Sequence, residues 1–182
     1  ADAAGVEALA KKELAPLEIA FLEPGPAGRP PRTVRPLFAA RVREFRGDLE
    51  GPDGAKAAYL AARPSRAVVA EALQELPPEQ AENASRLYAR MKEDATYWLG
   101  VLTLGEGEYA AAVDYLGRMT LQATPDSRWT DAARTNLARA YIGLGRTDEA
   151  VRILRADDSP QRFGSRILAD RLERSAAAAV GR

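Results

Sequence analysis

The chain has 182 residues, with 26 basic and 26 acidic side chains and no net charge. That length suits one domain with a sizeable core or a short solenoid, and the charge balance gives no argument for a nucleic-acid or membrane partner. The absence of Cys and His excludes disulfides, zinc fingers, thiol nucleophiles, His-based triads and most transition-metal sites, and no cofactor is expected.

Ala is abundant, at 37 residues, and β-branched residues are sparse, which favours helix throughout. No apolar run reaches the roughly 18 residues of a spanning helix, so no membrane span is expected. The first residue is Ala1, which fits either a trimmed start or a signal peptide removed after a small residue. The absence of Cys tolerates an oxidising compartment without proving one; the compartment stays open, with a lean to an exported protein, periplasmic or extracellular.

In chain order, Val6 to Leu14 suits a short helix stopped by Pro16. The apolar segment Leu17-Glu-Ile-Ala-Phe-Leu22 follows. Residues 24–36 hold five prolines and two glycines, a composition that suits an extended, polyproline-like stretch. Residues 1–36 therefore read as an arm. Its anchors Ile19, Phe21 and Leu22 either fold back over the first helix pair or dock on a neighbouring copy, with Arg29, Arg32 and Arg35 beside them.

Pro36 suits the first turn of a helix to about Glu50, because its missing N–H would be unpaired there anyway. Gly51-Pro-Asp-Gly54 is a turn, and a helix over Ala55–Ala62 follows. Ser65 can cap a helix to Leu76 whose expected buried face is Val68, Val69, Ala72, Leu73 and Leu76. Pro77-Pro78 starts a further helix with no breaker before Leu104, continuous or bent near Glu93-Asp94.

The stretch from Ala95 to Leu154 repeats itself at a shift of 38 residues: Ala95 falls on Ala133, Leu99 on Leu137, Gly105 on Gly143, Gly107 on Gly145, Ala112-Val113 on Ala150-Val151 and Leu116 on Leu154. A small residue one turn before a large one marks close approach of two antiparallel helices. Gly107 and Gly145 suit a left-handed turn between them. Val42, Ala55 and Tyr59 repeat the same spacing, which suggests a degenerate earlier unit.

After the loop Gln122–Ser127, Asp126 or Ser127 can cap a helix carrying Trp129, Leu137 and Tyr141, and Thr147 or Asp148 the next. Ser159-Pro160 starts a last helix, to about Ser175. Phe163, Ile167, Leu168 and Leu172 are expected to turn inward there, and residues 176–182 to fray.

At Leu99-Gly100, Ala112, Leu116 and Pro125, and again at Leu137, Tyr141, Ala150 and Leu154, the chain resembles the tetratricopeptide repeat. Thr96 and Arg134 stand at the pattern's tryptophan, Ala138 at its glycine, and the period is 38 residues where the pattern has about 34. The extra residues are expected in the loop 122–127. The resemblance implies an all-α, right-handed α-solenoid over residues 37–175, of about four helix pairs behind the extended Pro-rich arm.

It also implies a concave groove formed by the first helix of each pair. Tyr97, Val101 and Leu104 would face it from one unit, Asn136 and Arg139 from the next, and Arg162 and Arg166 from the last helix. Some members grip a C-terminal carboxylate with Lys, Asn and Arg. Tyr97 and Val101 occupy positions where that clamp needs Lys and Asn, so a mixed aromatic and polar groove for an extended segment fits better.

No constellation of catalytic residues survives inspection. Glu106 and Glu108 lie at a turn, Asp48, Glu50 and Asp53 lack the ligand pattern of a calcium loop, and Gly105-Glu-Gly107 has neither the strand nor the Lys-Ser/Thr of a phosphate loop. The expected function is therefore a non-enzymatic protein–protein interaction scaffold. Residues 28–46 carry six Arg and one Glu, and residues 67–85 four Glu and no base. Opposed patches of this kind favour a self-assembling subunit, a homo-oligomer or helical filament, in which arm and solenoid ends dock on a copy. The alternative is a monomeric adaptor that holds another protein's extended peptide in its groove. A ligand-binding or enzymatic role would require a closed polar pocket.

Overall fold

A computed structural model of the chain describes residues 35–74 and 76–180. Among the described residues every regular element is helical. In chain order they are α1 (Arg35–Arg46), α2 (Ala55–Ala61), α3 (Arg66–Gln74), α4 (Pro78–Gly105), α5 (Tyr109–Val113, continuing as a π-helix over Asp114–Gln122), α6 (Thr130–Gly143), α7 (Thr147–Arg155) and α8 (Arg162–Val180). The described residues fall into two compact units, which divide between Ala95 and Thr96. The arm residues Ile19, Phe21, Leu22, Arg29 and Arg32 lie outside the described residues, and Arg35 opens α1.

In the first unit α1 packs on α2, with Ala39, Ala40, Val42, Ala55, Ala58, Tyr59 and Ala62 buried. Small residues along both helices let the backbones approach and leave room for one large ring. Tyr59 fills it, with its hydroxyl donating to the Glu44 carboxylate and accepting from Arg41 Nη1 at 3.3 Å. Arg41 also holds Glu44 at 2.7 Å. Burial, and then the carboxylate, push the Tyr59 phenol above the usual tyrosine range.

Two expectations need correction here. The first helix stops at Arg46, four residues short of Glu50, because Gly47 takes φ +77°, the left-handed conformation that closes a helix. Ser65 does accept a hydrogen bond from the Val68 N–H at 3.3 Å, but none of the residues of α3 is buried. Val68 is 53% exposed, and Val69, Ala72, Leu73 and Leu76 are half-buried.

α4 runs unbroken through Glu93-Asp94. In the second unit, Tyr97, Ala112, Leu116, Ala133, Leu137 and Ala140 form one buried cluster. Ala138, Ala150, Leu154 and Ala169 form the next. The small-then-large pairs Ala112/Leu116 and Ala150/Leu154 thus sit where the repeat predicts. Gly100 admits Leu116: a Cβ there would lie 2.6 Å from Leu116 Cγ. The turn glycines Gly107 and Gly145 take φ +78° and +70°, as their place between helices requires.

The connection between α5 and α6 runs over residues 123–129, longer than the turn at residues 106–108. α5 itself extends through nine π-helical residues to Gln122, whereas its counterpart α7 has nine residues in all. Thr120 Oγ1 bonds the Tyr115 carbonyl at 2.8 Å, five residues back, within that stretch.

The caps also differ from expectation. Ser127 Oγ accepts from the Trp129 N–H at 3.0 Å, one turn before α6. Arg146 occupies the cap position of α7, and Asp148 and Glu149 fall inside its first turn, where they face the positive end of the helix dipole. Arg146 donates to Glu149 and holds its carboxyl below the usual range.

Before α8, Ser159 Oγ accepts from the Gln161 N–H at 3.1 Å, so the helix opens at Arg162. The anchor is Asp157, only 5% exposed. It receives the Ser159 N–H at 3.0 Å, the Ser165 hydroxyl and Arg134 Nη1 at 3.2 Å. Burial raises its pKa, but these donors outweigh burial and hold the carboxyl below its usual value. α8 buries Ser165 and Ala169, while Phe163 and Ile167 are 66% and 60% exposed. Their expected inward orientation is therefore corrected. Counted from the helix start, Ser165 and Ala169 take the places of Ala133 and Leu137 in α6, and Phe163 and Ile167 fall on the outer face. α8 also runs to Val180, beyond the expected fraying point.

Candidate functional site

A cleft of about 530 Å³ opens on the second unit, lined by Val101, Leu104, Gly105, Tyr109, Asn136, Arg139, Ile142 and Gly143. Three pairs in this lining are repeat equivalents at the 38-residue shift: Val101 with Arg139, Leu104 with Ile142, Gly105 with Gly143. The same face of two successive helices, α4 and α6, thus builds the two walls. Helical periodicity places each trio on one side of its helix.

The floor is apolar. Val101 and Leu104 pack against the cluster of Leu116 and Leu137. One edge is the Tyr109 ring, laid flat against Gly143. A Cβ at position 143 would stand 2.5 Å from Tyr109 Cδ1 and 2.6 Å from Cζ, so glycine is what lets the ring lie there. The opposite edge is polar. Asn136 Nδ2 donates to the Tyr97 hydroxyl at 3.2 Å, and Arg139 Nη1 donates to Asn136 Oδ1 at 3.4 Å. This relay orients the Asn136 amide.

Arg139 is exposed, and among the described residues no carboxylate pairs with it. A guanidinium has five N–H donors, so it can still bind an incoming acceptor. The cleft therefore offers apolar contact along one side and a cation with an amide on the other. Among its lining residues no nucleophile is paired with a base.

Of the groove residues expected from the sequence, Val101, Leu104, Asn136 and Arg139 are brought together. Tyr97 is 5% exposed and belongs to the core, stacked on Trp129 with ring centroids 4.3 Å apart; only its hydroxyl reaches Asn136. Arg162 and Arg166 do not line the cleft, and the Arg162 guanidinium lies over the Phe163 ring at 5.3 Å. Counting from the helix starts, the α8 residues equivalent to Asn136 and Arg139 are Leu168 and Arg171. Gly105, Tyr109, Ile142 and Gly143 were missed. Ile142 was readable, because it stands at the repeat position of Leu104. Tyr109 was not, since its placement depends on the space above Gly143.

Helix pairs that repeat in sequence and present equivalent residues on one face define an α-helical repeat protein. Residues 103–167 match the family model described as tetratricopeptide repeat, and this stretch of the chain is similar to that helical repeat. Such repeats are typically non-enzymatic modules that act as protein–protein interaction scaffolds. No curated protein and no solved structure matches the chain. Among the described residues no helix is long and apolar enough to cross a membrane.

Proposed function

We propose that the second unit is a non-enzymatic adaptor surface that holds an extended segment of a partner protein in the cleft between α4 and α6. The observation that carries this reading is the convergence of Val101, Leu104 and Ile142 with Asn136 and Arg139 on one concave face. An extended segment suits it because the cleft is lined by equivalent residues of two helices of the repeat, and solenoids use such concave faces for binding. The segment would place an apolar side chain against Val101, Leu104 and Ile142 and an acceptor on Arg139.

The test is affinity. Peptides selected from a random library on the full chain are titrated against the parent, Val101→Asp, Arg139→Glu and a distant control, Arg152→Glu. Losses of tenfold or more, about 1.4 kcal/mol, are expected for the first two substitutions only. Equal affinities for all four proteins would exclude the cleft.

A second reading, self-assembly, is supported by the exposed Phe163 and Ile167 on α8, since an apolar end of a repeat array invites a neighbour. Light scattering over a wide concentration range decides it. A mass that grows with concentration, and that Phe163→Glu returns to one chain, would favour an assembling subunit. One-chain mass throughout would reject that reading.

A further inference from the structure

Two further apolar surfaces are found among the described residues. One is a groove of about 380 Å³ between α3 and α4, lined by Val69, Leu73, Tyr88 and Ala89. The other is the outer face of α8, where Phe163 and Ile167 are exposed, and this one stands among arginines. At about 100° per residue, Phe163, Ile167 and Arg174 point away from the buried Ser165 and Ala169, with Arg166 and Arg171 flanking them on either side. The charge on this helix is one-sided. Its two carboxylates, Asp170 and Glu173, both accept from Arg155 Nη2 of α7, Glu173 at 2.7 Å. Arg162, Arg166, Arg171 and Arg174 are exposed, and among the described residues none of them makes an ion pair. Arg174 spends only its Nε, on the Asp170 carbonyl at 3.2 Å.

We propose that the outer face of α8 docks on an anionic lipid bilayer, with Phe163 and Ile167 entering the headgroup layer and the arginines bonding lipid phosphates. Peripheral attachment of this kind takes two signals, an apolar insertion and a basic patch, and both lie on this one face. An arginine beside an inserted ring lays its stem along apolar surface while its guanidinium reaches a phosphate. From Phe163 to Arg174 the face runs about 16 Å, one helix wide. A stable protein interface takes roughly 800 Å² from each partner, several times what this strip offers by itself, whereas a fluid surface closes around isolated side chains. A second copy's α8 laid against it would oppose arginine to arginine. Lipid docking uses none of the residues that line the cleft between α4 and α6.

The full chain is sedimented with vesicles of phosphatidylcholine alone and of phosphatidylcholine containing about one-third phosphatidylglycerol. Binding to the anionic vesicles only is expected, weakening as salt is raised. Arg166→Glu with Arg171→Glu should reduce it about a hundredfold, and Phe163→Ser about tenfold. Arg86→Glu with Arg90→Glu on α4 makes the same change in net charge and should have little effect. Circular dichroism checks that each variant keeps its helix content. Because the chain has no Cys, an environment-sensitive dye at Ala177→Cys, also on the outer face, reports contact without a substitution among the anchors. Its emission should shift to the blue on anionic vesicles. No binding to either vesicle would overturn the proposal, as would equal binding to both. So would equal losses in the two double variants, which would reduce the effect to net charge. A blue shift in lipid-free buffer that grows with protein concentration would also overturn it, by placing a second copy on the face.

Discussion

α7 and α3 are helices of the same length, and each has an apolar stripe, yet they end in opposite situations. α7 buries Ala150 and Leu154 at 0% and 2% exposure between α6 and α8. α3 leaves Val68 more than half exposed and buries nothing. The stripe alone therefore does not decide burial. In the second unit, small residues on the two facing helices, Ala138 of α6 and Ala169 of α8, let the neighbours approach Leu154. Where such a partner face is present the stripe becomes core; where it is not, the stripe becomes a groove.

The contrast is broken most strongly by truncation. Leu154→Ala should cost about 3 kcal/mol, within the 2–5 kcal/mol typical of buried leucine. Leu73→Ala in α3 should cost about 1 kcal/mol, as expected of a half-buried site. Urea denaturation measures both, and equal losses would contradict the burial difference. Asp157→Ala comes next, at about 2 kcal/mol, because it removes the acceptor of the Ser159 N–H and of the Ser165 hydroxyl in a largely buried place.

A smaller effect separates equivalent glycines. Gly143→Ala should cost about 1–2 kcal/mol by driving Tyr109 off its seat, and should weaken peptide binding. Gly105→Ala meets nothing within 4 Å and should change stability by less than about 0.5 kcal/mol. Thermal melts of the two variants give the comparison directly.

The two units should also respond to opposite ends of the pH scale. Tyr59 has a raised pKa in the folded chain, so its contribution is complete below about pH 10, the unfolded tyrosine value, and is lost as pH rises beyond it. Asp157 has a lowered pKa. Its contribution is present above about pH 4, the unfolded aspartate value, and is lost as pH falls. Tyr59→Phe should flatten the alkaline limb of a stability–pH profile, and Asp157→Asn the acid limb.

How far the fold was legible follows from the same residues. The repeat spacing located the turns at Gly107 and Gly145 and the pairs Ala112/Leu116 and Ala150/Leu154, because those signals are local and periodic. The orientation of Phe163 and Ile167 was misread, since an amphipathic pattern of four apolar residues fits two adjacent faces and only the contact of Ala169 with α7 selects one. The π-helical extension of α5 was hidden, as no residue type marks a change in hydrogen-bond register. For the cleft, repeat register supplied Val101, Leu104, Asn136 and Arg139. It failed for Arg162 and Arg166 because α6 and α8 start 32 residues apart while α5 and α7 start 38 apart, so the shift does not carry into the last helix.

The central claim is that a partner's extended segment lies between α4 and α6. The most direct test is a selected peptide carrying a photoreactive residue, cross-linked to the full chain and mapped by mass spectrometry. The account predicts adducts on Val101, Leu104, Tyr109, Asn136 or Ile142, lost when Arg139→Glu is introduced. Adducts confined to α3, or to Phe163 and Ile167 on α8, would contradict it.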